Sequence, residues 1–301
     1  MKKWIVTGAT GFIGRNLISH LSRDHEVVAV MHHASSGRLF DAMPHVKAVV
    51  CPMEEYGLLE DRIPENTYDV FCHLAWAGTK RAARADYAVQ SANARFVCDA
   101  ALASKRLGCR RFLVAGTITE RIAADALKRH YVAGHLVYGL SKLYAHKLLS
   151  ILASREGMDY VWAQLGNIYG RGDETGNLLS YTVKELAAGR VPTYGPCQQP
   201  INFTYIDDVI AAFQILGEAG NLPKQTYFVS NGECRKLVDY LMSVASMLGG
   251  DVAIGQREDD GVRYDAAWFH DDGLKELGFS PRYTFEDGVQ EMKEWLHGNK
   301  V

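Results

Sequence analysis

The turn Thr7-Gly8-Ala9-Thr10-Gly11-Phe12-Ile13-Gly14 directly follows the short apolar run Trp4-Ile5-Val6. Three glycines spaced three residues apart let a backbone turn tightly, approach a pyrophosphate and pack the next helix closely on its strand. The N–H groups at the start of that helix would then face the phosphates. Between a strand and a helix, this turn predicts a dinucleotide-binding unit rather than a structural loop. We assign six of its residues to the cofactor: Gly8, Thr10, Gly11, Phe12, Ile13 and Gly14.

Apolar runs of strand length recur along the chain, with helical segments between them. They lie at residues 4–6, 27–31, 48–51, 70–74, 112–115 and 160–165, and the clearest helices at residues 11–22, 93–106 and 139–156. Strands that are apolar on both faces need helices on both sides, which is typical of a parallel sheet. We therefore predict an α/β protein with a Rossmann-type doubly wound parallel sheet.

The pattern changes after residue 165. Glycine-rich turns, a helix at residues 178–188 and a proline-bearing stretch replace the alternation. A strand–helix unit at residues 202–218 and a strand at residues 226–229 would return to the first sheet. We predict a dinucleotide-binding domain of residues 1–165 and 202–230, and a smaller C-terminal α/β substrate-binding lobe of residues 166–201 and 231–301.

The composition limits the possible partners. The 301 residues are 48% hydrophobic and 23% charged, enough for a large core with a smaller lobe. The formal net charge of -2 gives no basic excess for a polynucleotide, and no block of Lys and Arg suggests a membrane surface. No apolar stretch reaches the roughly 18 residues that a membrane span needs. We expect a small-molecule substrate, with neither nucleic acid nor membrane as partner.

The first residues and the thiols indicate the compartment. The apolar run after Lys2 and Lys3 is too short for the core of a signal peptide. The six cysteines form no CxxC pair, as is typical of thiols in a reducing compartment. His32 and His33 are adjacent, so on a strand they would point to opposite faces. We expect a cytoplasmic protein with no metal.

The tip of the second predicted strand should meet the adenosine ribose. An acidic residue there normally holds the 2′-hydroxyl of NAD, but this chain has His32-His33-Ala34-Ser35-Ser36-Gly37-Arg38. A carboxylate would repel a 2′-phosphate, whereas serine hydroxyls and an arginine can bind one. We predict that NADP is preferred and that NAD remains possible, with His32, Ser35, Ser36 and Arg38 at the cofactor.

Tyr138 and Lys142 form a YxxxK pair at the start of a predicted helix, so they lie on one face, a turn apart. A phenol has a pKa of about 10 in water, and a neighbouring ammonium favours the phenolate. Lys142 could also reach the nicotinamide ribose. Thr117 follows the strand at residues 112–115, where its hydroxyl could bond the oxygen that gains or loses charge. We assign Tyr138, Lys142 and Thr117 as catalytic residues, with Thr119 as the alternative hydroxyl.

Together these motifs resemble the extended short-chain dehydrogenase/reductase family, in its nucleotide-sugar epimerase, dehydratase and ketoreductase branch. The resemblance covers nearly the whole chain. Its marks are TGATGFIG at residues 7–14, HLAWAG at 73–78, Asn93 opening a helix, YGLSK at 138–142, GNIYGRGD at 166–173, FTYIDDV at 203–209 and LGFSP at 277–281.

The resemblance implies a second region that closes over a nucleotide-diphosphate sugar above the nicotinamide. By matching position, Asn167 would hold the diphosphate and Asn93 would support the active site, while Asp207 and Asp208 look structural. In the HLAWAG motif we assign Leu74 and Ala75 to the cofactor and Trp76 to the substrate.

The sequence departs from the family in two places. Ile201-Asn202 stands where the family commonly has a diphosphate-clamping arginine, so that anchor is absent or supplied by Arg171, Arg257 or Arg263. We place Arg171 and Arg263 among the substrate-binding residues. The segment between Thr117 and Tyr138 is also shorter than usual and lacks prolines. The residues that would contact the sugar are therefore not assigned from this segment.

The residues after Thr117 separate the family's reactions. Dehydratases of the family carry an adjacent Asp-Glu pair directly after the catalytic threonine, whereas this chain has Ile118-Thr119 and only then Glu120. Dehydration is therefore disfavoured. NADPH-dependent reduction of a nucleotide-linked 4-keto-sugar is preferred over C4 epimerisation with NAD. A non-enzymatic NADP-sensing regulator is a further alternative, which the intact proton-transfer pair opposes.

The helices at residues 93–106 and 139–156 carry apolar or small residues on more than one face, which one sheet cannot cover. We predict a homodimer joined by a four-helix bundle of this pair, as the resemblance also implies. The apolar residues concerned include Phe96, Val97, Leu102, Leu140, Leu143, Leu148 and Ile151.

Overall fold

The structure, a computed structural model that describes residues 1–63, 67–259 and 261–298, contains a seven-stranded sheet. Strands and helices below are those of the described residues. The strands are β1 (Lys3–Thr7), β2 (Glu26–Met31), β3 (Val46–Val50), β4 (Val70–His73), β5 (Arg111–Thr117), β6 (Tyr160–Leu165), β7 (Asn167–Tyr169), β8 (Pro200–Ile201), β9 (Phe203–Tyr205), β10 (Thr226–Val229) and β11 (Arg235–Lys236). The helices are α1 (Phe12–Leu21), α2 (Tyr87–Arg106), α3 (Thr119–Lys128), α4 (Leu136–Glu156), α5 (Leu178–Ala187), α6 (Ile206–Glu218), α7 (Leu237–Leu248), α8 (Gly273–Glu276) and α9 (Phe285–Gly298).

The strands of the large sheet follow the order β3-β2-β1-β4-β5-β6-β10. The pairs that connect β3 to β5 are parallel, so Thr7 at the end of β1 lies opposite Val30 on one side and His73 on the other. The order reverses between β1 and β4, because the chain first moves outward to β3 and then returns. Ligands of open α/β sheets bind at such a reversal. The predicted Rossmann-type doubly wound sheet is confirmed, and β10 returns to it as predicted. The strand of the unit at residues 202–218 does not, because β9 pairs with β7 in a separate sheet.

Both faces of β1 are covered, which explains why its residues are uniformly apolar. Ile5 belongs to a buried cluster that includes Val97 of α2 and Leu149 of α4. Trp4 points to the other face, where a Cβ on Gly217 of α6 would collide with its ring. Alternate side chains of a strand point to opposite faces, so each face needs its own helix layer.

The helix predicted near Asn93 begins earlier, at Tyr87. Asp86 caps it, because its Oδ1 accepts hydrogen bonds from the N–H of Ala88 at 2.9 Å and of Val89 at 3.1 Å. An Asp at this position satisfies N–H groups that the helix itself leaves without partners. Asn93 therefore lies inside α2, not at its opening.

Helix α3 fills much of the segment between Thr117 and Tyr138 and was not predicted. Its buried face consists of Ile122, Ala123 and Ala126, together with Glu120. Ile118, Ile122 and Ala126 recur at helical spacing, a signal that the sequence analysis passed over when it treated this segment as a loop. The following helix, α4, ends at Glu156 as predicted, and Gly157 after it has a φ of +64°.

The chain divides into two compact units. The first contains residues 1–164 and 213–227, and the second contains residues 165–212 and the chain from Phe228 onward. Within the second unit, β7 pairs with β9 in parallel and β8 with β11 antiparallel. Its core is aromatic, with neighbouring ring centroids 4.5 to 6.1 Å apart; the rings belong to Tyr169, Phe203, Tyr205, Tyr240 and Phe285. Throughout the described residues, every helix is too short or too polar to cross a membrane.

Candidate active site

The glycine-rich turn connects β1 to α1 and leaves no space for side chains on its inner side. Gly8 has a φ of +66°, and a Cβ there would lie 2.7 Å from the backbone nitrogen of Ala75. A Cβ on Gly14 would collide with the carbonyl oxygen of Gly8, so α1 packs directly on the turn. Gly11 is exposed, and the nearest atom to a Cβ there would be the Gly8 oxygen at 3.2 Å. Its lack of a side chain therefore keeps the outer side open to a pyrophosphate.

The start of α1 fits an anion. Its cap residue, Gly11, supplies no side-chain cap, and the first turn contains no acidic residue. The first N–H groups of a helix have no partner inside the helix and carry its positive dipole end. The predicted residues Thr10, Phe12 and Ile13 belong to this same short segment. The geometry therefore fits the phosphates of a dinucleotide.

Thr7 joins the turn to the end of β4. Its Oγ1 lies 2.9 Å from Nδ1 of His73 and accepts hydrogen bonds from the N–H groups of Leu74 and Ala75 at 3.3 and 3.4 Å. Leu74 and Ala75, predicted at the cofactor, thus lie beside Gly8. Burial lowers the pKa of His73 to about 3, helped by the nearby charge of Lys142, so its ring is neutral.

The tip of β2 continues into a 3₁₀ turn over Ala34–Leu39. Arg38 is exposed, Ser36 is half-buried, and no acidic side chain of the described residues pairs with Arg38. The ring of His32 stands edge-on to that of His33 at 4.1 Å. The side chain of Ser35 lies outside the described part of the structure. Among the described residues of this turn, no carboxylate is paired with Arg38, so this side chain could bind a 2′-phosphate.

Lys142 projects from α4 towards β5 and the segment after β4. Its Nζ donates a hydrogen bond to the carbonyl oxygen of Ala115 at 2.8 Å and lies 3.8 Å from the ring centroid of Trp76. Burial lowers the pKa of Lys142 to about 7, and the carboxylate of Glu120 opposes that change. Water is largely excluded from the Lys142 side chain, so keeping its amine protonated there costs free energy.

Tyr138 lies one turn before Lys142 and meets the predicted third residue. Burial raises the pKa of Tyr138 to about 12, while Arg84 and a hydrogen bond with the Thr117 side chain lower it, and Glu120 raises it. The edge of Trp76 faces the phenol ring at a centroid distance of 6.0 Å. The structure therefore brings Tyr138, Thr117 and Lys142 together in one unit.

Thr117 ends β5, immediately before α3. Its Oγ1 lies 3.1 Å from that of Thr119 and accepts a hydrogen bond from the Thr119 N–H at 3.2 Å. Both candidate hydroxyls are thus in one hydrogen-bonded turn. Thr117 is the one whose side chain lowers the pKa of the Tyr138 phenol, which favours it as the reacting hydroxyl.

Glu120 is buried behind this turn. Its carboxylate accepts hydrogen bonds from the Thr117 N–H at 2.7 Å, the Trp162 indole N–H at 3.0 Å and the Gln164 amide at 3.3 Å. His146 stacks on Trp162 and approaches the same carboxylate at 3.4 Å. Each carboxylate oxygen already has donors from the protein, so Glu120 holds the Thr117 turn rather than facing a ligand.

The segment after β4 is anchored to α2 by two buried amides. Asn93 accepts a hydrogen bond from the Ala77 N–H at 2.8 Å and donates to the Ala77 oxygen at 3.1 Å. Gln90 accepts from the Trp76 indole at 2.8 Å. Asn93 thus supports the loop that holds Trp76, in the supporting position that the resemblance implied. Sequence reasoning did not identify Gln90.

The predicted substrate residues of the second unit have partners there. Asn167 donates from its amide to the Asn202 carbonyl at 3.1 Å, which leaves its Oδ1 available. Arg171 pairs with Asp207 at 3.0 Å, and Arg263 pairs with Asp259 at 3.2 Å. Both arginines would have to exchange these carboxylates for a diphosphate. Within the described ranges, no group of three His, Cys, Asp or Glu side chains is arranged to hold a metal ion.

The model of the NAD dependent epimerase/dehydratase family matches residues 4–229, which contain the glycine-rich turn and the Tyr138–Lys142 pair. The chain belongs to this family. The family contains nucleotide-sugar epimerases, dehydratases and reductases of the extended short-chain dehydrogenase/reductase type.

Two curated members of the family align over almost all of this chain. A CDP-abequose synthase of Salmonella typhimurium is 22% identical over 306 residues, which is 97% of this chain and 97% of the relative. A trifunctional UDP-glucose 4,6-dehydratase, UDP-4-keto-6-deoxy-D-glucose 3,5-epimerase and UDP-4-keto-L-rhamnose-reductase of Arabidopsis thaliana is 23% identical over 320 residues, covering 99% of this chain and 47% of the relative. The chain therefore spans less than half the length of that trifunctional protein.

A solved structure has the same fold. The enzyme WbmG of Bordetella bronchiseptica, in complex with NAD and UDP, superposes with a TM-score of 0.78 at 21% identity, covering 98% of this chain and 94% of its own. That neighbour binds NAD and a uridine nucleotide. Its likeness to this member of the epimerase/dehydratase family establishes the shared architecture.

Three polar residues around the active site of this family member were missed by sequence reasoning: Arg84, Gln90 and Glu120. Gln90 and Asn93 are three residues apart on α2, so a polar pair on one helical face was a signal for Gln90. Glu120 had been considered only as a remote acid for dehydration. Arg84 belongs to a basic stretch that, by itself, is typical of a solvated surface.

Proposed function

We propose that this enzyme reduces a nucleotide-linked 4-keto-sugar with NADPH. The observation that carries the proposal is the arrangement of Tyr138, Thr117 and Glu120. Tyr138 lies beside Thr117, whose side chain lowers the pKa of the phenol, while Glu120, the acid that the described residues place next to them, is buried among N–H donors. This arrangement suits delivery of one proton to a carbonyl oxygen.

Tyr138 is the proton donor in this proposal. Because burial raises the pKa of its phenol to about 12, it carries its proton at neutral pH, as a reduction requires. Thr117 donates a hydrogen bond to the same substrate oxygen and stabilises the charge that develops there. When bound, the nicotinamide supplies the hydride. Lys142 holds the cofactor ribose and contributes positive charge near the phenol.

Dehydration is opposed by the position of Glu120. Loss of water from a sugar needs a separate acid and base that reach the substrate. Ile118 and Thr119 occupy the two positions after Thr117 and cannot exchange protons near neutral pH. Glu120 accepts from Thr117, Trp162 and Gln164 within the protein, so it would have to abandon these donors to act as an acid.

The cofactor preference follows from the tip of β2. Arg38 is exposed and lacks a carboxylate partner among the described residues, so it is available to a 2′-phosphate. We expect NADPH to bind several-fold more tightly than NADH and Arg38→Ala to reduce that ratio. Arg23→Ala, at an exposed arginine at the end of α1, is the matched control. A ratio that favours NADH would contradict the cofactor assignment.

The second candidate is C4 epimerisation with tightly held NAD. The observation that favours it is the likeness to a Bordetella bronchiseptica enzyme solved with NAD and UDP. Tyr138 would then have to act first as a base, for which burial of the phenol is unfavourable. The two reactions differ in cofactor balance, since only the reduction consumes NADPH.

A substrate screen tests the proposal. UDP-, CDP- and dTDP-linked 4-keto-6-deoxy-sugars and the corresponding hexoses are incubated with NADPH or NADH, while cofactor fluorescence and the sugar NMR spectrum are followed. We expect stoichiometric loss of NADPH and formation of a C4 alcohol from a keto-sugar. Interconversion of hexose epimers without net cofactor change would instead support the epimerase. Reduction of no member of the keto-sugar set would contradict the proposed reaction.

A further inference from the structure

Arg84 lies directly over the ring of Tyr138. Its Cζ is 4.1 Å from the ring centroid, a distance at which a guanidinium is attracted to the face of an aromatic ring. Its side chain has one long hydrogen bond, from Nη1 to the Thr79 carbonyl at 3.5 Å. No acidic side chain in residues 1–63, 67–259 or 261–298 forms an ion pair with it. Among the described residues, the phenol ring of Tyr138 is therefore the main partner of the positive charge of Arg84.

The segment that carries Arg84 is held in place by α2. Gln90 is fully buried and donates from its amide to the carbonyl oxygens of Gly78 at 2.7 Å and Ala83 at 2.9 Å. Asp86 caps the helix two residues after Arg84. These hydrogen bonds hold the backbone on both sides of Arg84, so the fold itself places this residue next to Tyr138.

Lys142 contributes positive charge near Tyr138, but its ammonium has partners of its own. Its Nζ donates to the Ala115 carbonyl and lies over Trp76. Its pKa, lowered by burial to about 7, means that the amine is only partly protonated at neutral pH. An arginine keeps its charge at every pH at which proteins are folded.

We propose that Arg84 is a second, permanent cation that stabilises the phenolate of Tyr138 in addition to Lys142. The inference rests on the proposed function for its place in the reaction. As the carbonyl carbon of the substrate accepts hydride, its oxygen takes the proton from Oη of Tyr138. The phenolate left behind is then reprotonated from solvent. Arg84 acts through Tyr138 and is a positioning residue.

The charged groups around Tyr138 come from each neighbouring element. Arg84 lowers the pKa of the phenol, Glu120 of α3 raises it, and burial raises it most. Lys142 lies one turn further along α4, and His73 of β4, close to Lys142, is neutral. Removing the Arg84 charge should therefore raise the pKa of Tyr138, with no other described cation placed over the ring.

The test measures the ionisation of Tyr138 without any substrate. A fluorotyrosine is incorporated at position 138, because ring fluorination lowers the phenol pKa into the range in which a folded protein can be titrated. The ¹⁹F resonance is followed against pH in the parent, Arg84→Met, Arg84→Lys and Lys142→Met proteins. Arg95→Met is the matched control, since Arg95 also lies over a ring of α2, that of Phe96, at 5.0 Å.

We expect Arg84→Met to raise the pKa of the phenol by about one unit or more, the usual effect of losing an adjacent opposite charge. Arg84→Lys should raise it less, and Arg95→Met should leave it unchanged. An unchanged pKa in Arg84→Met, with a rise in Lys142→Met, would overturn the proposal. Arg84→Gln is the second neutral variant if the methionine variant does not fold, with cofactor affinity and circular dichroism as checks.

A turnover measurement separates this inference from the proposed function. On a keto-sugar that the parent reduces, Arg84→Met should lower kcat by up to about tenfold, the limit for a one-unit change in the pKa of the proton donor, with KM little changed. Arg84→Lys should recover part of the rate. A raised ¹⁹F pKa in a protein that reduces no keto-sugar would support the role of Arg84 and reject the proposed reaction.

Discussion

Single residues at the candidate site have proton affinities far from those in water. Burial lowers the pKa of His73 to about 3 and that of Lys142 to about 7, and raises that of Tyr138 to about 12. At neutral pH the imidazole is therefore neutral and the phenol protonated. Because the unfolded chain restores ordinary pKa values, these groups also link stability to pH.

His73 should make the fold sensitive to acid. Its folded pKa lies below its unfolded value of 6.5, so below pH 6.5 the unfolded chain binds a proton that the folded protein does not. Stability is fully present above that pH and falls as the pH drops towards 3. Between pH 8 and pH 5 the loss due to this group is about 2 kcal/mol.

Urea unfolding of the parent and His73→Asn proteins at pH 8 and pH 5 measures this contribution. Asparagine keeps a polar atom near the Thr7 hydroxyl and does not titrate. We expect the variant to lose about 2 kcal/mol less than the parent between the two pH values. Equal losses in both proteins would show that His73 is not the acid-sensitive group.

At the scale of elements, the active site depends on the close approach of α3 and α4. A Cβ on Gly139 would collide with the Thr119 carbonyl oxygen and would lie 3.1 Å from Cβ of Ala123. Glycine at this position lets the helix bearing Tyr138 reach the turn bearing Thr117. The distance between the two hydroxyls is thus set by helix packing as well as by local sequence.

Gly139→Ala should therefore destabilise the protein, although alanine is the better helix former. We expect a loss of roughly 1–3 kcal/mol in the free energy of unfolding, the usual cost of overpacking. Gly57→Ala is the control, because a Cβ there would meet no atom within 4 Å; its effect should stay within about 0.5 kcal/mol. Similar unfolding curves for the two variants would contradict the packing argument.

The elements that the sequence predicted are those whose signal is local. The strands of the large sheet are apolar on both faces, and the glycine-rich turn needs its residues at fixed spacing. Helix α3 was missed although its apolar residues recur at helical spacing, because the segment was treated as a loop between Thr117 and Tyr138. Glu120 and Arg84 escaped because their partners, Trp162 and Tyr138, are distant in sequence and only the folded sheet brings them together.

At the scale of the whole molecule, the apolar surface of α2 and α4 indicates a second copy of the chain. These helices pack on one another in the first unit, yet Tyr144 and Ile151 of α4 remain 55% and 66% exposed. Large apolar side chains that are exposed on one helix face, here two turns apart, are typical of an interface. The homodimer built from these helices stays a prediction.

Light scattering at micromolar concentration checks the dimer. We expect twice the mass of the chain for the parent and one chain for Ile151→Arg, because a charge on this face would have to be desolvated on association. Met242→Arg, at an exposed methionine of α7 in the second unit, should leave the mass unchanged. A parent protein of single-chain mass would refute the predicted interface.

The central claim is that Tyr138 gives its proton to a substrate carbonyl oxygen, and Tyr138→Phe tests it most directly. Phenylalanine keeps the ring between Arg84 and Trp76 and removes only the hydroxyl. On a keto-sugar that the parent reduces, we expect kcat to fall about 10²-fold or more, the usual scale of general acid assistance, with NADPH affinity little changed. Near-parental turnover in a folded, cofactor-binding Tyr138→Phe protein would show that the proton comes from another group.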